Sequence, residues 1–525
     1  MSRRKNSSKV SPPVQEDAAL SNQTMPASES RLMLAGVIVC FVLSGFAALL
    51  YQTAWLRQFS LVFGTSELAV ATVLAAYMAG LAGGAAVAAR WMQRVRRPIR
   101  VYGLLEAAIA ISALAVPFLL SAAGAAYVLM LGDLPEPPSA STFGQPLFYL
   151  VVAFLVLALP TGFMGATLPL LTRQVIRTDR ELGSKVALLY ASNTAGAVAG
   201  TVVAAFVLLP MLGLRGTVWV GVAINALVFV VAALISTRVP AIDTETNRVP
   251  NKSLPGFISS CIKPLLATGK PMRERVANAF MSQPSWILLL MFFSGANAFL
   301  YEVLWTRMLS HVLGGSIYAF ATMLAAFLTG IALGGGLSGV FAKDRHSAAV
   351  NFGIAQVAIA LLSIGVYQWM GSALPDPRSI TGLSAFAVVV MLPATIFIGA
   401  TLPLAVRILA EVPSQASEAT AKIYVWNTAG AIFGAVAAGF FIIPAFGFEG
   451  SLKLGVMTNF GLALWAMFVL TKPRRLFASA TALLTLLVLV VYQPSRPEAV
   501  IVNTAFPILD TGETEELYFA VGRSS

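Results

Sequence analysis

The segment "SGANAFLYEVLWTRMLSHVLGGS", which runs from Ser294 to Ser316, has a close relative upstream, "SGFAALLYQTAWLRQFSLVFGTS", which runs from Ser44 to Ser66. Their matching Tyr, Trp and Arg residues are separated by a fixed offset of 250 residues. Both segments are mainly apolar, yet one carries Glu302 where the other carries Gln52. A carboxylate inside an apolar segment is costly unless it faces protein or water. The two segments therefore indicate a duplicated, membrane-embedded unit that contains polar positions.

The duplication extends over most of the chain, and its offset later changes from 250 to 234 residues. The stretch "GATLPLLTR" at 165–173 matches "GATLPLAVR" at 399–407. In the same register, "NTAGAVAG" at 193–200 matches "NTAGAIFG" at 427–434. An internal repeat of this length predicts two copies of one structural unit.

Composition defines the class of protein that is duplicated. Hydrophobic residues make up 58% of the chain and charged residues 11%, whereas a soluble domain has about 25% charged residues. Thirteen apolar runs follow one another, most of them about the length that an α-helix needs to cross a bilayer. We predict an all-α polytopic membrane protein with two parallel six-helix repeats and one extra C-terminal span. This arrangement is similar to the major facilitator architecture.

The apolar runs and the repeat also predict the division of the chain. The predicted parts are a disordered cytoplasmic tail (1–30), a first repeat (31–236), a cytoplasmic linker (237–284), a second repeat (285–470), an extra span (471–492) and a polar tail (493–525).

Basic residues predict the orientation of the chain in the membrane. With the N-terminus in the cytoplasm, 28 of the 35 lysines and arginines lie in cytoplasmic segments, as the positive-inside rule requires. The positive charge is thus explained by topology and gives no reason to expect a nucleic-acid partner. We expect an integral protein of a bacterial-type inner or plasma membrane, with the lipid bilayer as its partner. Two cysteines and two histidines predict neither a metal site nor a cofactor.

Polar residues at matched repeat positions are the candidates for function. Glu302 corresponds to Gln52, and Glu106 corresponds to Gln356, so each half carries one carboxylate and one amide in swapped order. Charged or amide side chains at such positions are expected to face the interface between the halves. The candidate substrate-binding residues are Tyr51, Gln52, Arg57, Glu106, Asn193, Tyr301, Glu302, Arg307, Gln356 and Asn427.

Each carboxylate also has a purely structural interpretation. Glu302 precedes Arg307 by five residues, so the two side chains are able to form an ion pair near the end of the span. Glu106 lies near the inner end of its span, where it is able to extend towards water near Arg100. The sequence leaves both interpretations open beside a role in binding a substrate or a proton.

Several motifs resemble the membrane part of fused spermidine-synthase-like membrane proteins. They are the frames "YEVLWTRMLSHVLG" and "YQTAWLRQFSLVFG", the two "GATLP" stretches and the "NTAGAVAG" and "NTAGAIFG" helices, and the resemblance covers roughly residues 31–525. It implies a soluble aminopropyltransferase-like domain after the membrane half, and "LYFAVGRSS" at 517–525 is similar to the start of such a domain. The sequence supplies no positions for the family's catalytic residues.

Three functions remain open on this basis. The main expectation is an integral membrane module of a spermidine-synthase-like protein that lacks its own aminopropyltransferase domain, so that enzyme activity stays uncertain. The first alternative is a facilitator-type secondary transporter of a small polar or cationic solute. The second alternative is a membrane scaffold for a separately encoded, soluble aminopropyltransferase-like enzyme.

Overall fold

The computed structural model describes residues 27–242 and 286–470, with gaps at 64–66, 132–143, 177, 240, 315, 371–378 and 411. All regular secondary structure in these ranges is helical, which confirms the prediction of an all-α polytopic protein. The predicted extra span at 471–492, the C-terminal tail, most of the linker and residues 1–26 of the N-terminal tail lie outside the described residues. The last four residues of the predicted disordered tail, 27–30, are helical and form the start of α1.

Twelve α-helices are present in the described ranges, six on each side of the linker. They are α1 Ala27–Phe63, α2 Glu67–Trp91, α3 Pro98–Leu131, α4 Gly144–Val175, α5 Asp179–Val203, α6 Leu209–Arg238, α7 Ile287–Leu313, α8 Ile317–Phe341, α9 Arg345–Met370, α10 Ile380–Leu409, α11 Ala416–Ala437 and α12 Ile443–Leu470. Short 3₁₀ turns occupy Met92–Arg94 and Pro413–Gln415, and one π-helical turn in each half occupies Ala204–Leu208 and Ala438–Ile442.

Two continuous helical stretches each contain two membrane spans. The stretches Asp179–Arg238 and Pro413–Met467 are 60 and 55 residues long. At about 1.5 Å per residue each is well over twice as long as a hydrocarbon core of about 30 Å is thick. Gly213 and Gly447 break them, because both have φ of 65° with extended ψ, a conformation that favours glycine. The second span of each stretch thus begins after the break, which lies within the first turns of α6 and of α12.

Glycines allow matched helix pairs to approach closely within each half. A Cβ on Gly84 of α2 would lie 1.7 Å from the carbonyl oxygen of Gly162 on α4, and one on Gly334 of α8 would lie 1.6 Å from that of Ile396 on α10. The α1–α5 and α7–α11 pairs meet in the same way, at Gly196 and at Gly430. Because membrane helices associate through close packing of small residues, these contacts hold each six-helix unit together.

The two halves are packed most tightly at the membrane side where α1 begins, which we call the N-side; the opposite side is called the far side. Apolar core residues on the N-side come from both halves, for example Leu182 and Val186 from α5 with Leu404 and Ile408 from α10. Near the far side, one core cluster of the described residues lies within the second half and another lies mainly within the first half. There Phe320 of the second half packs against the first-half cluster, and the rings of Phe206 and Tyr318 are in contact. The interface is therefore closed on the N-side.

A cross-half ion pair lies at the same end of the molecule. One guanidinium nitrogen of Arg407, at the end of α10, lies 3.0 Å from a carboxylate oxygen of Asp179, at the start of α5. The Arg407 side chain is 6% exposed and that of Asp179 is 55% exposed. The pair links the halves at a partly buried position, which strengthens the closure.

The outer surface fits a lipid environment. Large apolar side chains such as Phe118 and Leu129 are 77% and 81% exposed. Exposed apolar surface on this scale is unfavourable in water and expected in a bilayer. Ten helical stretches of the described residues are long and apolar enough to span a membrane, and the protein is therefore an integral membrane protein.

Candidate functional site: a cavity between the halves

A cavity of about 210 Å³ lies between the two halves, near the middle of the spans. Its walls come from α1, α2, α4 and α5 of the first half and from α7, α8, α10 and α11 of the second. Apolar and aromatic side chains form most of the lining. The polar lining residues are Ser44, Gln52, Tyr77, Thr167, Tyr190, Asn193, Thr194, Ser294, Glu302, Thr401, Tyr424, Asn427 and Thr428. Among the described residues that line the cavity, Glu302 is the one acidic or basic side chain.

Four of the ten residues predicted from the sequence line this cavity. Gln52 lies on α1 and Glu302 at the equivalent position of α7, while Asn193 lies on α5 and Asn427 at the equivalent position of α11. The structure thus brings two repeat-related pairs, which are far apart in sequence, to one place. The other six candidates lie elsewhere, in the interior of each half or towards the far side.

Glu302 has no partner among the residues that the structure describes. Its carboxylate forms neither a hydrogen bond nor an ion pair there, although the side chain is partly buried. Arg307 does not pair with it: the Arg307 guanidinium donates to the carbonyl oxygen of Gly439 in the π-helical turn at 3.3 Å. Arg57, the equivalent of Arg307, is exposed at the end of α1. The interpretation of Glu302 and Arg307 as an ion pair is therefore wrong.

Glu106 belongs to a hydrogen-bond network inside the first half. It is fully buried on α3, so it does not extend to water near Arg100. The Ser44 hydroxyl donates to one carboxylate oxygen at 2.6 Å, and the Asn225 amide donates to the other at 2.5 Å. The Tyr51 hydroxyl donates to the Asn225 carbonyl at 2.9 Å. α1, α3 and α6 are thereby joined by polar contacts directly behind the cavity wall.

The second half builds an equivalent network around Gln356. The Gln356 amide donates to the Ser294 hydroxyl at 2.9 Å, and the Asn459 amide donates to the Gln356 carbonyl at 2.6 Å. Asn297 of α7 donates to Asn459 and to the carbonyl of Gly455.

The two repeat-related tyrosines also pack against equivalent helices. Tyr301 packs against Gly455 of α12, as Tyr51 packs against Gly221 of α6. Four of the predicted candidates therefore connect helices within their own half and do not line the cavity: Tyr51, Tyr301, Glu106 and Gln356.

Several cavity residues are not among the candidates predicted from the sequence. Ser44 and Ser294 belong to the repeated frame, and Tyr190 and Tyr424 are repeat-related at the offset of 234. Tyr77 corresponds to Phe327, and both line the cavity. Repeated hydroxyl and aromatic residues were the available signal, but such residues are common in membrane helices, and only their orientation makes them candidates.

Comparison with known proteins identifies the fold. A family model for the Major Facilitator Superfamily matches residues 32–394. The human organic anion transporter MFSD10 (TETRAN) is similar in structure, with a TM-score of 0.51, 16% identity and coverage of 85% of this chain and 100% of that one. The E. coli fucose:proton symporter FucP has a TM-score of 0.52, 14% identity and coverage of 84% and 99%. No curated protein matches the chain in sequence.

These findings correct the resemblance drawn from the motifs. The family model spans residues from both repeats, and the similar structures have the same fold without a spermidine-synthase-like fusion. The motifs "GATLP" and "NTAGA" reflect small residues needed for close helix packing, such as Gly165, Gly196 and Gly430. The expected identity as a spermidine-synthase-like module is wrong, and neither the expected polyamine chemistry nor the expected soluble enzyme partner has support. The match over residues 32–394 shows that the chain belongs to the Major Facilitator Superfamily.

Proposed function

We propose that this protein is a secondary transporter of a small polar solute and that the solute is a cation. The observation that carries the proposal is the single carboxylate of Glu302 in the cavity between the halves. A cavity of about 210 Å³ lies below the range of about 300–1,000 Å³ that is usual for drug-sized ligands, so the solute is small.

Charge in the cavity favours a cation. A carboxylate removed from water is stabilised by an opposite charge, and Glu302 has no such partner among the described residues. No Lys or Arg of these residues lines the cavity. A cationic solute would therefore gain Coulomb energy and restore a partner to Glu302, whereas an anionic solute would be repelled. The organic anion named for MFSD10 is for this reason a poor model for the solute of this chain.

Amide and hydroxyl groups would orient the solute. Gln52 and Asn193 contribute amides from the first half, and Asn427 contributes one from the second. Tyr190 and Tyr424 contribute phenol rings, whose faces attract cations. A cation held by Glu302 would thus contact both halves at once, as binding at a repeat interface in a transporter requires.

The distribution of contacts supports alternating access. The N-side is closed by core residues from both halves and by the Asp179–Arg407 ion pair. Rocking of one half against the other around the cavity would open this side and close the far side. From the excess of basic residues, we further propose that the N-side is cytoplasmic, in a bacterial-type inner or plasma membrane.

A ligand screen on the purified full chain tests the proposal. The probes are small organic cations, each matched with a neutral molecule of similar shape and with an anion, and the readout is the apparent melting temperature in detergent. We expect cations to stabilise the wild type and to be taken up by proteoliposomes. Glu302→Gln should abolish both effects and keep its melting temperature, since Gln52 already occupies the equivalent position.

The double variant Gln52→Glu/Glu302→Gln provides a matched control. It moves the carboxylate across the cavity and keeps the net charge, so part of the preference for cations should return. Stabilisation by anions alone, or cation binding that is unchanged in Glu302→Gln, would refute the proposal.

A further inference from the structure

Glu106 is a buried acidic residue that the proposed transport site does not use. It lies on α3 and is fully buried, one layer behind the cavity, and Ser44 connects the two because its hydroxyl donates to Glu106 while its side chain lines the cavity. A change at Glu106 is therefore transmitted to the cavity wall through a single hydrogen bond.

The second half shows the same network with a neutral group in place of the acid. At Gln356 the direction of the hydrogen bond is reversed, because the amide nitrogen donates to Ser294. Asn459 donates to the remaining oxygen of Gln356, as Asn225 donates to Glu106. A protonated carboxyl group resembles an amide in shape and likewise has one donor side and one acceptor side. The Gln356 network thus shows the hydrogen bonds that a protonated Glu106 would make.

We propose that Glu106 is a proton-binding site whose protonation sets the direction of the Ser44 hydroxyl. In the ionised state, Ser44 and Asn225 both donate to the carboxylate. A proton taken up by the carboxylate oxygen beside Ser44 forms a new O–H bond that donates to the Ser44 oxygen. Ser44 can then no longer donate to Glu106, and its own hydroxyl proton turns towards the cavity. The hydrogen bond from Asn225 is kept in both states, and the Tyr102 hydroxyl stays beside the carboxyl group in both.

The groups around Glu106 do not neutralise its negative charge, so a proton is the partner that would neutralise it. Cys40 and Tyr51 face it from α1, Tyr102 lies beside it on α3, and α6 contributes the neutral Asn225. α4 also packs against α3 but contributes no charged group that acts on Glu106. Glu106 forms no ion pair with any residue that the structure describes. Hydrogen bonds alone stabilise the ionised form, so uptake of a proton removes a buried charge without breaking a salt bridge.

The consequence for the cavity rests on the proposed function. With Glu106 ionised, the Ser44 hydroxyl is directed away from the cavity and presents only an acceptor to a solute. With Glu106 protonated, the same hydroxyl becomes available as a donor. Binding of a solute that accepts a hydrogen bond from Ser44 would therefore be linked to uptake of a proton, and binding of a solute that only donates would not.

Infrared spectroscopy of the purified full chain tests proton binding without any solute. Difference spectra are recorded across the pH range in which the protein stays folded, and the carboxylic acid C=O band is followed. We expect one such band to be lost in Glu106→Gln and kept in Glu302→Gln. In Ser44→Ala the band should shift in frequency, because the hydrogen bond from the acid to the Ser44 oxygen is gone.

Two outcomes would overturn the proposal: a set of acid bands that is unchanged in folded Glu106→Gln, or a Glu106 band that does not move in Ser44→Ala. The Gln356 network shows that the fold accepts an amide here, so Glu106→Gln should melt near the wild-type temperature. If this variant does not fold, the response to Ser44→Ala alone decides the question. Because no solute is present, failure of cation binding at Glu302 leaves this test unaffected.

Discussion

At the scale of single residues, the two halves differ most in the charge of otherwise matched networks. Glu106 and Gln356 each receive a hydrogen bond from an asparagine, Asn225 and Asn459 respectively. The geometry is nearly the same, with distances of 2.5 and 2.6 Å. The contributions of the two bonds to stability should nevertheless differ, because one acceptor is able to carry a charge and the other is not.

We expect Asn225→Leu to destabilise the protein more than Asn459→Leu at alkaline pH. Hydrogen bonds to charged groups contribute about 1.5–3 kcal/mol and neutral ones about 0.5–1.5 kcal/mol, so the difference should be about 1 kcal/mol. It should narrow as the pH falls, since protonation of Glu106 removes the charge that Asn225 stabilises. Unfolding of both variants in detergent at several pH values measures the difference. Equal losses at every pH would contradict this expectation.

At the scale of helices, close backbone contact defines each half. Gly334 of α8 faces a carbonyl oxygen of α10, and its equivalent Gly84 of α2 faces one of α4. A side chain at either position would meet backbone, which is unable to move aside without separating the helices. Gly83, next to Gly84 in the chain, has open space around the position of a Cβ and provides a natural control.

Gly334→Ala should therefore lower the free energy of unfolding by about 2 kcal/mol or more, near the middle to upper range for overpacked sites. Gly83→Ala should be neutral or stabilising by up to about 1 kcal/mol, because alanine is the better helix former. Melting temperatures of the two variants in the same detergent provide the comparison. A loss as large in Gly83→Ala as in Gly334→Ala would mean that the contact between α8 and α10 is not the cause.

At the scale of the whole molecule, the Asp179–Arg407 ion pair is a polar link between the halves on the closed N-side. It joins residues 228 positions apart. The ion pair between Lys422 and Glu418 lies nearby in sequence but within α11, at 2.6 Å, and does not link the halves. Removing the basic residue of either pair takes away one positive charge, but only the change at Arg407 also removes the Asp179–Arg407 link between the halves. The comparison therefore separates the effect of the lost charge from the effect of the lost link.

We expect Arg407→Gln to increase the opening of the N-side. Loss of about 1 kcal/mol from a partly exposed ion pair changes a population about fivefold. The readout is the rate at which a thiol reagent labels a cysteine in place of Ala187, a buried residue at the interface of α5 and α8, in a chain without Cys40 and Cys261. Lys422→Gln should leave this rate unchanged, and a similar increase in both variants would argue against a gate at Arg407.

The sequence by itself determined the class of the protein, the number of repeats and the positions at which the halves correspond. These properties follow from hydrophobicity, which decides what enters a bilayer, and from residue identity at fixed offsets. It also determined that Glu302 and Glu106 each correspond to an amide residue at the matched position of the other repeat. The resemblance of short motifs to spermidine-synthase-like membrane proteins indicated the wrong family. Glycine-rich motifs reflect close helix packing, which is common to many membrane proteins.

Only the tertiary structure decided which polar residues meet. Glu302 lines the cavity while Glu106 lies behind its wall, although both are single carboxylates within apolar helices. The direction of a side chain depends on the rotation of its helix about its own axis. That rotation is set by contacts with other helices, such as Gly45 against Asn193 and Gly295 against Asn427. Contacts between residues so far apart in the chain leave no local pattern in the sequence, and the cavity exists only after the helices have packed.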